Sequence, residues 1–111
     1  MESKRQKRVD KLLQKDLGEI FQQDMRHLTH GAMVTVTKVN ITPDLQSAKV
    51  YLSIFAAKDK DGLLKNIQRH ASELRGKLGN RIRHQMKSVP ELHFYEDDSL
   101  DYIENIENLL K

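Results

Sequence analysis

Apolar positions along the chain fall into two rhythms. Val9, Leu12, Leu13, Leu17, Ile20 and Phe21 step by three, one, four, three and one, which draws a single stripe on a helix. The helix is expected from about Lys4 to Asp24, opened by Ser3 or Glu2. Gly18 inside it costs up to about 1 kcal/mol against alanine. His27 to Gly31 reads as a connecting loop. From Met33 to Thr42 the rhythm shortens to two: Val34 and Val36 alternate, then Val39 and Ile41 alternate in the opposite phase. A phase change inside one strand predicts a bulge near Thr37-Lys38. Thr42-Pro43-Asp44-Leu45 is a turn signal, with proline presetting φ. Ala48, Val50, Leu52 and Ile54 then alternate with Lys49, Tyr51 and Ser53, giving a second strand with one buried face. The short connection makes the pair an antiparallel hairpin.

Lys58 to Gly62 is a polar break, after which the helical rhythm returns. Leu64, Ile67, Ala71, Leu74, Leu78 and Ile82 step by three, four, three, four and four, the clearest periodicity in the chain. Ser88-Val89-Pro90 ends it, because the residue before proline avoids helical angles. Leu92, Phe94 and Glu96 alternate as a short third strand. Asp97-Asp98-Ser99 offers a cap, and Ile103, Ile106 and Leu110 predict a last, acidic helix. The fold class is therefore α+β, in the order α-β-β-α(α)-β-α, with a three-stranded sheet and helices on one face. This order resembles a type II KH domain, a single-stranded nucleic-acid module, with one helix added.

A length of 111 residues suits one domain spanning 1–111 with one core. The absence of cysteine excludes disulfides, thiolate zinc sites and thiol nucleophiles. No apolar run approaches the roughly 20 residues that span a bilayer, and the charged start, Met1 to Arg8, lacks a secretory segment. A cytoplasmic protein without a membrane role is expected.

Charge changes the picture more than composition does. Residues 1–90 carry 18 Lys/Arg against 9 Asp/Glu, whereas residues 91–111 carry one lysine and seven acids. Lys65, Arg69, Arg75, Lys77, Arg81, Arg83 and Lys87 cluster with a single acid, Glu73. A segregated basic face is the electrostatic footprint of a polyanion partner, most often a nucleic acid. The competing reading is a solvated helix face.

Three segments carry a family resemblance: Val34 to Val39, Asp44 to Tyr51, and Val89 to Phe94. The opening helix Arg5 to Leu13, the pair Leu74-Arg75 and the run Asp97 to Leu100 add to it. In order and spacing the chain resembles bacterial ribosome-binding factor A over nearly its whole length. The resemblance implies a KH-like fold without enzymatic activity, catalytic residues or cofactors. It implies binding to the 30S subunit and 16S ribosomal RNA during late maturation, with support of 5′-end processing and of growth in the cold. It also implies release assisted by a ribosome-associated GTPase. The chain departs from the family where Ala-any-Gly marks a helix kink: here the residues are Ala71-Ser72-Glu73, without the glycine. The loop Thr29 to Ala32 also lacks the usual Asp-Pro pair.

Two further sites compete for the nucleic acid. Gly76-Lys77-Leu78-Gly79 is a literal GxxG, the loop by which ordinary KH domains clamp a backbone. Leu78, however, belongs to the unbroken apolar stripe, which favours a continuous helix. Tyr51 lies on the polar phase of its strand, where it is open either to base stacking or to burial under the last helix. The pair His27 and His30 lacks a third metal ligand. Asp97, Asp98 and Asp101 read as helix-capping acids, and His70 and His84 lie among the basic helices.

The expected mechanism is binding, with no metal. Arg69, Arg75, Lys77, Arg81, Arg83 and Lys87 should neutralise RNA phosphates, and Lys4, Arg5, Lys7 and Arg8 should add a second patch. Not all can face one ligand, since they surround a helix axis. The acidic end should avoid RNA and either face a ribosomal protein or limit nonspecific binding. A monomer is expected. The alternatives are a generic single-stranded RNA binder using Gly76–Gly79 and a protein-interaction module.

Overall fold

The computed structural model describes residues 3–29 and 31–97. The first helix, α1, spans Lys4–Gln23. Ser3 caps it: its hydroxyl accepts from the Gln6 N–H, and the Gln6 side chain accepts from the Ser3 N–H. Two orphan donors are thus satisfied reciprocally. A four-residue helix, α2 (Arg26–Thr29), follows. It takes up His27–Thr29 of the loop expected at His27–Gly31, and Gly31 remains in a turn. A single turn is too short to show a period, and what holds it is burial of Met25 and Leu28 in the core.

Strands β1 (Met33–Ile41) and β2 (Ser47–Phe55) form the expected antiparallel hairpin, with the register shifting between Val36 and Lys38, at the predicted bulge. The turn closes with the Leu45 N–H on the Thr42 carbonyl at 2.9 Å. After Lys58, helices α3 (Lys60–Arg69) and α4 (Ala71–Ile82) lead to β3 (Glu91–Glu96). The sheet order is β1-β2-β3, and β3 runs parallel to β2. The fold is KH-like.

All described helices pack on one side of the sheet. Val34, Val36, Val39, Ile41, Ala48, Val50, Leu52, Ile54, Leu92 and Phe94 meet Leu13, Leu17, Ile20, Ile67, Leu74, Leu78 and Ile82 in one core. The Phe21 and Phe94 rings meet edge to face at 6.2 Å. Leu63, rather than the expected Leu64, anchors α3; Leu64 packs only at the margin. Leu63 and Leu64 lie four and three residues before Ile67, and a helix sets either spacing on one face, so the step alone does not decide between them. The expected C-terminal helix falls within residues 98–111, outside the described residues.

Candidate nucleic-acid interface

The break between the two basic helices falls on His70, at φ −97° and ψ 16°. Its N–H still reaches the Ile67 carbonyl at 3.0 Å, and its Nδ1 lies 2.8 Å from the Asn66 carbonyl. Nδ1 must carry a proton to donate there. The break needs no glycine, because a negative φ of this size is open to any residue. The kink expected at Ala71, Ser72 and Glu73 thus comes one residue earlier, and those three residues form the first turn of α4.

This break faces the outer edge of β3 across a groove. One part, of about 260 Å³, is lined by Gln68, Ala71, Leu92, His93, Phe94 and Tyr95. A second, of about 210 Å³, adds Ser72, Arg75 and Glu91. A third, of about 380 Å³, continues past Arg75 to Gln46, Ser47 and Ser88. The groove is shallow and mostly polar, the shape of a surface that takes an extended chain rather than an enclosed small molecule. Gln68 Nε2 donates to the Phe94 carbonyl at 2.9 Å and pins one point of the strand edge.

The basic side chains distribute unevenly around this groove. Lys4, Arg5, Lys7 and Arg8 are exposed on the first turns of α1. Gln6 Nε2 donates to the Ile41 carbonyl at 3.1 Å, which places those turns at the β1–β2 turn end of the sheet. The Glu91 N–H donates to the Gln46 carbonyl at 2.8 Å, so the loop carrying Lys87 returns to the same end. Arg69 and Arg83 are exposed, and Lys77 is half-buried. Two of the α4 arginines have partners within the chain. Arg75 donates from Nε and Nη2 to the Val89 carbonyl at 3.2 and 2.7 Å, tying α4 to the approach to β3. Arg81 donates to Asp16 at 3.1 Å and to Glu19, tying α4 to α1. Arg75 and Arg81 therefore point to different flanks of α4, and each acts first as a brace.

The GxxG clamp is overturned as a loop. Gly76, Lys77, Leu78 and Gly79 lie inside α4, and Leu78 is fully buried. A Cβ on Gly79 would sit 3.0 Å from the Val89 side chain, whereas one on Gly76 would meet nothing. Gly79 thus permits close packing of α4 on the loop before β3, and no backbone there turns toward a phosphate.

Sequence reasoning missed a polar row on α1. Asp10 Oδ1 accepts from the Ile41 N–H at 2.8 Å, and Gln14 Nε2 donates to the Val36 and Thr37 carbonyls at 3.2 and 3.3 Å. With Gln6 they form an i, i+4, i+8 row beside the apolar stripe. That spacing was visible, but its target on another strand was not. The other notable polar site is the turn, where Asp44 accepts from the Thr42 hydroxyl at 2.5 Å and from the Gln46 N–H at 3.1 Å. These bonds, the Thr42 hydroxyl foremost, hold the Asp44 carboxyl below its ordinary range.

Among the described residues no group of three or more metal-ligating side chains exists, and no helix is long and apolar enough to cross a membrane. His30, Asp98 and Asp101 lie outside the described residues.

Comparison with known proteins matches residues 5–110 to the family model for ribosome-binding factor A. The chain is 42% identical over 111 residues to ribosome-binding factor A of Christiangramia forsetii, covering 99% of this chain and 85% of that one. It is 43% identical over 110 residues to that of Cytophaga hutchinsonii, covering 99% and 83%. The crystal structure of ribosome-binding factor A from Thermus thermophilus superposes with a TM-score of 0.69 at 23% identity, over 82% of this chain and 94% of that one. A homology model of the Thermus thermophilus factor, fitted into a cryo-electron microscopy map of its 30S complex, gives 0.62 at 27% identity, over 78% and 89%. With the sequence match running through every described element and the fold agreeing, this chain belongs to the ribosome-binding factor A family.

Proposed function

We propose that this chain binds the 30S ribosomal subunit, contacts 16S ribosomal RNA during late maturation of that subunit, and performs no chemistry of its own. The observation that carries the reading is the match to the family over residues 5–110, joined to a relative fitted into a 30S complex. The geometry supports it: exposed bases on α1 and near Lys87 share one end of the sheet, beside a polar groove lined by Ala71, Ser72 and Arg75. Such bases neutralise phosphates and release counterions, which gives affinity and register without base specificity. Specificity then comes from the shape of the particle. Support of 5′-end processing and of growth in the cold, release assisted by a GTPase, a monomeric state and a cytoplasmic location belong to the same proposal.

The test is co-sedimentation with 30S subunits, 50S subunits and 70S ribosomes across a salt series. Selective pelleting with 30S that weakens as salt rises is expected. Equal binding to all three particles, or none, overturns the 30S role. Binding insensitive to salt favours the protein-interaction reading.

A further inference from the structure

The exposed large hydrophobic side chains among the described residues gather on one surface. Met33, Phe55 and Tyr95 are 64%, 54% and 43% exposed. Strand alternation places all three on the side of the sheet opposite the helices, since their neighbours Val34, Ile54 and Phe94 are in the core. The same side carries Lys38, Asn40, Lys49, Tyr51, Ser53 and His93. Register sets them in rows: Met33 beside Phe55, Lys38 beside Tyr51 beside Tyr95, and Lys49 beside His93. The Tyr51 and Tyr95 rings lie 5.7 Å apart with a tilt of 31°. Tyr51 is thus half-buried against a second tyrosine, a neighbour that the strand pattern alone did not supply.

We propose that this open face binds unpaired nucleic-acid bases, with Tyr51 and Tyr95 as the stacking platform and Lys38 and Lys49 neutralising the phosphates beside it. The inference rests on the nucleic-acid reading above and extends it to a surface that the basic helices do not include. Two neighbouring rings on an exposed sheet face offer π surface to bases of any sequence. Lysine stands next to the pair both across the strand, at Lys38, and along it, at Lys49. A protein-docking patch would be depleted of charge at its centre. Here lysines adjoin the rings, and the Thr35–Ser53 pair separates them from Met33 and Phe55. Two acids border this face. Glu91 stands at the far end beside His93, 3.8 Å away, and the Asp97 carboxylate accepts the Thr37 hydroxyl at 2.6 Å. His93 and Tyr95 also line the groove at the β3 edge, so a strand leaving that groove reaches the rings directly.

The full chain has three tyrosines and no tryptophan, so tyrosine emission reports on ring stacking. The probe is a labelled, unstructured uridine decamer, followed by anisotropy and by quenching of tyrosine emission. The Tyr51→Thr/Tyr95→Thr variant keeps strand-forming residues and loses both rings. Its decamer binding is expected to weaken tenfold or more, while Tyr51→Phe/Tyr95→Phe stays within about twofold. Lys38→Gln/Lys49→Gln should flatten the salt dependence. Equal decamer affinity for the wild type and the threonine variant overturns the proposal. Absence of decamer binding by a wild-type chain that still pellets with 30S overturns it and leaves the proposed function intact. Loss of 30S pelleting in the threonine variant with decamer binding unchanged assigns the face to a protein and also overturns it. If, in a Tyr102→Phe background, deletion of residues 98–111 shifts the emission of the remaining tyrosines and the decamer does not, the chain's own acidic end occupies the face and the proposal fails.

Discussion

The two edges of the three-stranded sheet receive opposite treatment. The β1 edge is closed over Val36 to Ile41, where Gln6, Asp10 and Gln14 of α1 satisfy the Ile41 N–H and the carbonyls of Val36, Thr37 and Ile41; toward Met33 it borders a pocket. The β3 edge is pinned by Gln68 at the Phe94 carbonyl and otherwise borders a groove. An exposed strand edge is a template for pairing with another chain, and proteins blunt it by covering it. This chain covers the edge beside its longest helix and leaves the other beside the break at His70. The difference separates the half of the molecule that stores stability from the half that offers a surface. It also explains why two of the bases in the second half, Arg75 and Arg81, serve as braces: the helices that border the groove must be held at a fixed distance from it.

The closed edge is where truncation should cost most. Gln6→Ala combined with Asp10→Ala leaves backbone groups of Ile41 without their partners, one of them beside a buried side chain. A loss of about 2–4 kcal/mol is expected in urea unfolding, with a raised tendency to self-associate. A loss below about 1 kcal/mol would mean that water replaces the row without penalty. The same truncation at the open edge, Gln68→Ala, should cost no more than about 1 kcal/mol, because its partner is already partly solvated. Equal losses at the two edges would erase the distinction.

A smaller effect separates the two glycines of α4. Gly76→Ala should stabilise by up to about 1 kcal/mol, the ordinary helical gain at an open position. Gly79→Ala should gain less or lose, since its Cβ meets Val89. Both variants should retain 30S pelleting. Loss of pelleting in Gly76→Ala alone would revive the clamp.

The smallest effect concerns the turn at the end of the sheet that both basic patches share. Asp44 is held below the ordinary carboxylate range when folded, so its contribution is present above the unfolded value and is lost as pH falls through the folded value. Thr42→Val removes the first cause of that shift. Its destabilisation should therefore be seen at neutral pH and fade under acid conditions, as read from thermal unfolding at a series of pH values. A loss that is constant with pH would assign the effect to the turn backbone.

Local pattern carried much of this fold because burial on one face writes itself into the chain at a fixed period. The stripe through Leu74, Leu78 and Ile82 favoured a continuous helix over a loop at Gly76–Gly79, and α4 runs through it. The reversal between Val36 and Val39 placed the bulge near Thr37-Lys38, where the register shifts, because an inserted residue flips every side chain after it. The α2 turn left no such mark, and the choice between Leu63 and Leu64 stayed open to error because residues four and three before Ile67 both fall on its helical face.

The order of the strands and of the longer described helices, the core-facing side of the strands and of α1 and α4, and the separation of basic from acidic segments were legible in the chain, since each is a property of residues close together along it. Long-range packing alone set β3 parallel to β2, turned Arg75 and Arg81 into braces, sealed the β1 edge with the α1 polar row, and brought Tyr51 to Tyr95. Each of these joins residues far apart in the chain. Whether a guanidinium meets a phosphate or a carboxylate depends on what the fold sets beside it, and no local period encodes that.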